Sequence, residues 1–309
     1  MPLRPHDRLT IGYVAATGVL IVFARKANFP CWEAFLALHA LLIAGVWVLA
    51  RHGADAFPGR AFLSRLARIA RDFYPAALVP ALYKELYFLI PAIHPMDRDA
   101  WLVAADRAIF GVVPAVALQA WAWPPAVEIL QWAYASYFLI AVSLAAIFYA
   151  ARPRIRFDEF LYAVLLVYFG SYAGYFLVPA VGPERALMNE FRVPLEGLFA
   201  TAFLRDGIER LEWLQRDLFP SGHAAVSLVC VLYAFRFCRP AVAAAYALVG
   251  TLLIASTIYC RYHYAVDVFA GIPLALAGIW IAHRRFRGKE KEPAGAEAPT
   301  GPSETDRPA

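Results

Sequence analysis

The chain has 309 residues, of which 61% are hydrophobic and 17% are charged, and its mean hydropathy is +0.54. This composition excludes an ordinary soluble protein and predicts an integral membrane protein. The net charge of +5 does not indicate a nucleic-acid partner, because the basic residues stand mostly in short loops between apolar runs. The four cysteines have neither metal-ligand spacing nor a disulfide framework, so we assign them no chemistry.

Apolar runs recur along the chain and are long enough to cross a membrane as helices. About 20 helical residues span a hydrocarbon core about 30 Å thick. The runs lack the alternation of apolar and polar residues that a membrane β-barrel would need. We therefore predict an all-α, polytopic membrane protein with about eight transmembrane helices. The predicted spans are residues 9–24, 32–50, 73–93, 126–150, 157–179, 220–238, 240–260 and 264–284.

The first span allows two interpretations. It is short and is followed by Arg25 and Lys26, so a cleaved signal peptide is the alternative to a retained helix. We prefer a retained helix, because no convincing small-x-small cleavage site follows the apolar run.

Basic residues between the spans predict the orientation of the protein. Arginine-rich clusters follow the second, fourth, sixth and eighth spans. All four lie on one side of the membrane, which the positive-inside rule identifies as the cytoplasm. Both termini are then cytoplasmic and the long loop 180–219 faces outward. We expect the protein in a bacterial-type plasma (inner) membrane.

Three segments outside the spans have a distinct composition. Residues 57–72 carry arginines among apolar residues, which is typical of an amphipathic helix on the anionic cytoplasmic leaflet. The loop 180–219 is either an interfacial helix that covers a site or a folded loop without that role. Residues 286–309 are rich in Lys, Glu, Pro, Gly and Ala, so we predict a disordered cytoplasmic tail.

Unexpected polar groups fall in four short stretches. These are "YKELY" at 83–87, "VPAVGPERA" at 178–186, "FPSGHAAVS" at 219–227 and "CRYHYAVDV" at 260–268. On the predicted topology the last three lie at the outer ends of spans. They can therefore converge at one membrane depth, where ionisable groups are costly and commonly functional.

The stretch "FPSGH" has the features of an anion-binding helix start. Ser221 is a good helix cap, and Gly222 lets a ligand approach the backbone closely. Free N–H groups and the positive end of the helix dipole favour a phosphate there, with His223 one residue beyond. A helix cap with an interfacial histidine is the alternative interpretation.

His263 and Asp267 form the second candidate pair. They are four residues apart, so on a helix they share a face and the carboxylate can reach the imidazole. Such a partner fixes the tautomer of a nucleophilic or basic histidine. A lone pair of this kind is more often structural, but a second histidine and two arginines in adjoining segments favour catalysis.

"PSGH" followed about forty residues later by Arg, His and Asp resembles the type 2 phosphatidic acid phosphatase superfamily. The usual third motif of that family is Ser-Arg, five residues, His, three residues, Asp. His263 and Asp267 match its last part, whereas Thr257 stands where the usual arginine would be and Arg261 lies four residues later. The compact Arg-x-His form looks more like the branch with the inositol phosphorylceramide synthases, which are phosphotransferases.

The first motif of the family, Lys, six residues, Arg-Pro, is absent from this chain. "PAVGPERA" stands in its place and offers Arg185 as a substitute. The resemblance is strongest over residues 157–284 and implies a six-helix catalytic core within residues 73–285. Residues 1–56, with two transmembrane helices, look like an addition.

The resemblance implies phosphoryl transfer on a lipid phosphate or phosphodiester at the extracytoplasmic face, with neither metal nor cofactor. His263 would attack phosphorus, Asp267 would orient it, and His223 would protonate the leaving alkoxide. The implied phosphate ligands are Arg185, Arg261, Ser221 and the backbone N–H of Gly222. The phosphohistidine would be captured by an alcohol or lipid acceptor in a transferase, or by water in a phosphatidate or polyprenyl (pyro)phosphate phosphatase. The donor, the acceptor and the oligomeric state are not predicted.

Lys84 and Glu85, near the middle of the third span, are costly unless they face the bundle interior. They either recognise a substrate head group or hold helices together. Two other classes of protein remain as alternatives to an enzyme. A transporter would place polar groups across the membrane depth and show internal repeats. A non-catalytic interaction protein would leave the Ser-Gly-His and Arg-His-Asp combination without a reason.

Overall fold

A computed structural model describes residues 3–27, 29–52, 60–151, 153–212 and 216–288. Thirteen α-helices and three short 3-10 helices make up the regular structure of these residues, which confirms the predicted all-α class. The α-helices are α1 Pro5–Ala24, α2 Trp32–His52, α3 Ala61–Ile93, α4 Asp99–Phe110, α5 Pro114–Ala117, α6 Pro124–Ala135, α7 Tyr137–Ala150, α8 Ile155–Leu177, α9 Pro183–Ala186, α10 Thr201–Glu212, α11 Gly222–Phe237, α12 Pro240–Tyr259 and α13 Ala265–Phe286.

Six described helices are long and apolar enough to cross a membrane, namely α1, α2, α3, α8, α12 and α13. Two bent helix pairs raise the number to as many as eight: α6 with α7, and α4 with the segment Pro114–Trp121. The protein is thus a polytopic membrane protein, as predicted. The candidate spans in the structure are not the same eight as the predicted ones, because no span was predicted for the segment around α4 and α5. The predicted span 220–238 is α11, whose 16 residues extend only about 24 Å.

The predicted span 126–150 is broken at Ser136. Helices α6 and α7 meet there at an angle of 50°. The Ser136 hydroxyl donates to the carbonyl of Ala133 at 2.6 Å, a local bond that competes with the helical pattern. The break lies between Tyr134 and Tyr137, whose rings both contact His223.

Helix α3 runs without interruption from Ala61 to Ile93. Its 33 residues extend about 50 Å, more than the hydrocarbon core requires. The predicted boundary between the amphipathic segment 57–72 and the third span therefore does not coincide with a break in the helix. Residues 53–59 and 289–309, which include nearly all of the predicted tail, lie outside the described residues.

Helix α8 is the most buried of the long helices and forms the centre of the bundle with α11 and α13. Two glycines let the start of α11 come close to its neighbours. A Cβ on Gly174 would lie 2.2 Å from Pro220 Cδ, and one on Gly271 would lie 2.9 Å from the Ser221 carbonyl oxygen. Small residues are used in this way where membrane helices approach closely. The start of α11 is thereby held between α8 and α13.

Helix α10 lies in the loop 180–219 and is amphipathic. Leu204 and Ile208 are buried against the protein, whereas Phe203 and Leu211 are exposed. Exposed aromatic and aliphatic side chains beside charged ones are typical of a helix that lies in a membrane interface. Of the loop, residues 213–215 lie outside the described residues.

Candidate active site

The three stretches that were predicted to converge do so at one end of the bundle. His263 Nδ1 lies 3.2 Å from Asp267 Oδ2, and His263 Nε2 lies 3.3 Å from His223 Nδ1. All three side chains are buried. We call His223, His263 and Asp267 the histidine cluster.

The spacing of four residues suggested that His263 and Asp267 share one face of a helix. The contact between them has a different origin. Helix α12 ends at Tyr259, and Arg261 adopts a left-handed conformation with φ of 68°. The chain turns there, since the carbonyl of Thr257 accepts the N–H of His263 at 2.8 Å. Helix α13 begins only at Ala265, so His263 precedes it and Asp267 lies in its first turn. The same carboxylate also accepts the N–H of residue 264 at 3.3 Å, which caps the helix.

Because the chain turns at Arg261, this residue does not lie on a continuation of α12. Its guanidinium instead lies over the Phe191 ring at 4.1 Å and donates to the Val193 carbonyl at 2.5 Å. Burial lowers the pKa of Arg261 below its ordinary value. A buried cation of this kind gains from an additional anionic partner.

Ser221 is the N-cap of α11, as predicted, and its hydroxyl accepts the N–H of Ala224 at 3.2 Å. The hydroxyl also lies 3.5 Å from His263 Nε2. A Cβ on Gly222 would lie 2.9 Å from the Tyr175 hydroxyl, so the missing side chain makes room for α8.

His223 is held by aromatic rings from both sides of the α6–α7 break. Its ring stacks on Tyr134 with 4.6 Å between centroids, and the centroid of Tyr137 lies 3.9 Å away. This seat leaves the imidazole little rotational freedom. The sequence contained no local signal for it, since nearly 90 residues separate the tyrosines from the histidine.

A polar cavity of about 460 Å³ opens onto the histidine cluster. Arg185 and Arg261, both predicted phosphate ligands, line it together with His223 and His263. Arg205 from α10 lines it as well and had not been predicted. Arg185 pairs with Glu209 at 3.3 Å, and Arg205 pairs with Glu184. Arg205 Nη1 and Arg261 Nε are buried and have no hydrogen-bond partner among the described residues.

An apolar cavity of about 330 Å³ adjoins the polar one, because His223 and Asp217 line both. Its walls come mainly from α3, α7 and α8. Along α8 the lining runs from Phe160 to Tyr175, which corresponds to about 22 Å of helix. The polar cavity and the apolar cavity thus meet at His223.

The structure separates Lys84 from Glu85. Lys84 lines the apolar cavity. Glu85 is buried and contacts His39 Nε2 at 2.8 Å, which links α3 to α2 away from the cavities. Of the two predicted roles, holding helices together fits Glu85.

Two carboxylates of α4, which sequence reasoning did not assign, bind backbone N–H groups in segments that carry the site. Asp99 accepts the N–H groups of Val181 and Gly182 at 2.9 Å each. Asp106 accepts the N–H groups of Ala265 and Val266 at 3.1 and 2.8 Å, and so caps α13. Their spacing of seven residues, which puts both on one helix face, was the available signal.

The family model of the PAP2 superfamily matches residues 100–281, more than half of the chain. The chain belongs to the PAP2 superfamily. The predicted resemblance to the type 2 phosphatidic acid phosphatases is therefore confirmed. Every member of the histidine cluster lies in the matched region, whereas α1–α3 precede it.

Two curated relatives are similar to this PAP2-superfamily chain. A phosphoinositol dihydroceramide synthase of Bacteroides thetaiotaomicron is 26% identical over 208 residues, which cover 61% of this chain and 68% of the relative. A PA-phosphatase related-family protein of Dictyostelium discoideum is 29% identical over 124 residues, covering 39% of this chain and only 22% of the relative. No solved structure matches significantly. The first similarity agrees with the predicted likeness to the inositol phosphorylceramide synthase branch.

Proposed function

We propose that this protein is a membrane-embedded lipid phosphotransferase that works through a phosphohistidine on His263. The observation that carries the proposal is the position of the histidine cluster, where the polar and apolar cavities meet. Membership in the PAP2 superfamily and the similarity to a phosphoinositol dihydroceramide synthase support a lipid phosphatase or phosphotransferase.

The two cavities suit the two halves of a lipid phosphate or phosphodiester. The tail lies in the apolar cavity and the phosphate faces the histidine cluster, beside Arg185, Arg205 and Arg261. Unpartnered N–H groups of Arg205 and Arg261 gain hydrogen bonds from the phosphate oxygens. Ser221 and the N-terminus of α11 provide further donors. The polar cavity has room for a head group beyond the phosphate, since ligand pockets measure about 300–1,000 Å³.

In the first step His263 Nε2 attacks phosphorus. Asp267 accepts a hydrogen bond from the Nδ1–H of His263, which keeps the proton on Nδ1 and the lone pair on Nε2. The neighbouring His223 Nδ1 then carries a proton toward the reaction centre. The N–P bond forms, the P–O bond to the leaving group breaks, and His223 protonates the departing alkoxide.

In the second step an acceptor alcohol takes the phosphoryl group. His223 removes the proton of the hydroxyl, the new P–O bond forms and the N–P bond breaks. With water as the acceptor, the same steps make the enzyme a phosphatase for phosphatidate or polyprenyl (pyro)phosphate. The similarity to a synthase favours an alcohol or a lipid acceptor. The proposed reaction proceeds without metal, with the guanidiniums of the cavity placed beside the charge of the transferred group.

The proposal is tested by product analysis with mass spectrometry. Purified protein in detergent and EDTA receives phospholipids or polyprenyl phosphates, each with and without inositol or ceramide-like alcohols. A new phosphodiester lipid that needs both the acceptor and His263 supports transfer, whereas free phosphate alone identifies a phosphatase. His263→Ala should abolish product and phosphoenzyme. Normal turnover by this variant would refute the nucleophile assignment.

The proposed site faces the extracytoplasmic side, and this orientation rests on the arginine clusters at the opposite ends of the helices. Cysteines introduced one at a time into a background with Cys31→Ser and Cys238→Ser, which leaves only the buried native cysteines, test it. Arg192→Cys, near the polar cavity, should react with an impermeant maleimide in intact cells. Arg285→Cys, at the end of α13, should react only after the cells are opened. The reverse pattern would place the site on the cytoplasmic side.

A further inference from the structure

A third cavity, of about 430 Å³, lies at the other end of α8. Arg154, immediately before this helix, is part of its wall, whereas the polar cavity lies beyond the helix C-terminus. The 23 residues of α8 extend about 34 Å, so the two cavities open at opposite faces of the membrane. We call this third space the arginine cavity. Its lining contains Arg4, Arg68, Arg71 and Arg154, with Asp72 as the one carboxylate among the described lining residues.

The charges around the arginine cavity do not balance. Asp72 pairs with Arg4 at 2.5 Å and with Arg154. The buried Asp7, which does not line the cavity, accepts hydrogen bonds from both terminal nitrogens of Arg71, at 3.0 and 2.5 Å. Even with Asp158, which lies 3.9 Å from Arg4, three carboxylates face four guanidiniums among the residues that the structure describes here.

Arg68 carries the unbalanced charge. It is exposed and makes no ion pair with any residue that the structure describes. An ion-pair network that only joins α1, α3 and α8 would use the other arginines and their aspartates. It would need neither Arg68 in the wall nor an open space beside it.

Two of the guanidiniums are held in place before any ligand binds. The guanidinium carbon of Arg154 lies 4.0 Å from the centroid of the Tyr149 ring and 5.3 Å from that of Phe157. The side chain of Arg71 is only 6% exposed. Preorganised guanidiniums match the oxygens of a phosphate well, because less side-chain entropy is lost on binding.

We propose that the arginine cavity binds an anionic phosphate group at the membrane face opposite the histidine cluster. The phosphate comes either from the head group of an anionic phospholipid or from free phosphate in solution, and the chemistry of recognition is the same. Basic residues next to membrane spans attract anionic head groups. This binding does not rest on the proposed catalytic function.

The test measures binding rather than turnover. Full-length His263→Ala protein in a non-ionic detergent is titrated with dioctanoyl phosphatidylglycerol, with dioctanoyl phosphatidylcholine or with inorganic phosphate, and thermal unfolding is followed. In the same background, Arg68→Glu is compared with Arg65→Glu, a matched change on an exposed arginine of α3 that does not line the cavity. Arg68→Glu should weaken the apparent affinity about fivefold or more, and Arg65→Glu should leave it unchanged.

A saturable shift with phosphatidylglycerol but not with inorganic phosphate supports a lipid head group as the ligand. A shift with inorganic phosphate that also depends on Arg68 supports a free anion. Equal losses of apparent affinity in Arg68→Glu and Arg65→Glu would overturn the proposal. The absence of a saturable shift with either anionic ligand would overturn it as well. It would equally fail if Arg185→Glu, in the polar cavity, removed the shift and Arg68→Glu did not.

Discussion

Asp267 serves two functions in the histidine cluster. From the first turn of α13 it accepts the backbone N–H of residue 264, just before the helix, at 3.3 Å, and it contacts His263 Nδ1 at 3.2 Å. Because one carboxylate does both, the start of the helix and the orientation of the imidazole are coupled. Asp106 caps the same helix from α4 without touching either histidine in the described contacts. The two aspartates therefore allow chemistry and helix capping to be separated.

Asp267→Asn should lower kcat by about 10⁴-fold, the size of the effect when a triad aspartate becomes an amide. The amide can hold the wrong tautomer of His263, which then lacks a lone pair on Nε2. Initial rates with the substrate found by product analysis provide the measurement.

Asp106→Asn is the control for this prediction. It removes charge from the α13 cap, so it should lower the unfolding temperature while kcat changes much less than in Asp267→Asn. Similar losses of kcat in both variants would mean that Asp267 acts mainly as a helix cap.

At the scale of elements, α10 is tied to the bundle by a side chain from another helix. Glu128 of α6 accepts the backbone N–H groups of residues 198–201 at 3.0–3.3 Å, and the Thr201 hydroxyl at 2.8 Å. Residues 198–200 lead into α10 and Thr201 begins it, so the carboxylate lies at the helix N-terminus, where the helix dipole favours a negative charge. Since Arg205 of α10 lines the polar cavity, these bonds help to position this arginine.

Glu128→Gln should loosen α10 without unfolding the bundle, because an amide accepts fewer N–H groups and carries no charge. Hydrogen exchange of residues 198–212 should become faster, while exchange in α8 stays unchanged. Glu196→Gln, an exposed position in the same loop, is the matched control and should have no effect. Unchanged exchange in Glu128→Gln would contradict this role.

At the scale of the whole molecule, the bundle encloses two joined cavities whose chemistry differs. The polar cavity carries three arginines, and the apolar cavity extends along α8. Apolar walls stabilise hydrophobic tails, and guanidiniums stabilise anionic groups such as phosphates. This division predicts that the apolar cavity affects long-chain substrates more than short ones.

Ala76→Phe should place a ring in the apolar cavity, which Ala76 lines from α3. Turnover of long-chain lipid substrates should fall by about tenfold or more, since displacing a few buried methylenes costs over about 1.4 kcal/mol. A dioctanoyl or shorter analogue should be affected less. Ala77→Phe, at an exposed neighbouring position outside the cavity, is the control. Equal effects on long and short chains would argue against a tail in this cavity.

The sequence by itself determined the all-α membrane class, most of the helices and the cap at Ser221. It also identified the stretches that meet at the site, including the partnership of His263 and Asp267. These features depend on long apolar runs or on residues within four positions of each other. Such short-range relations can be read along the chain.

Only the tertiary structure decided which helices are neighbours, and with them the rest of the site. The carboxylate of Asp106 caps a helix 159 residues away, and the rings that hold His223 lie across the break at Ser136. Lys84 and Glu85 face different surroundings although they are adjacent. The cavities likewise exist only between packed helices. Contacts of this kind arise from side-chain packing between distant segments, which no local spacing specifies.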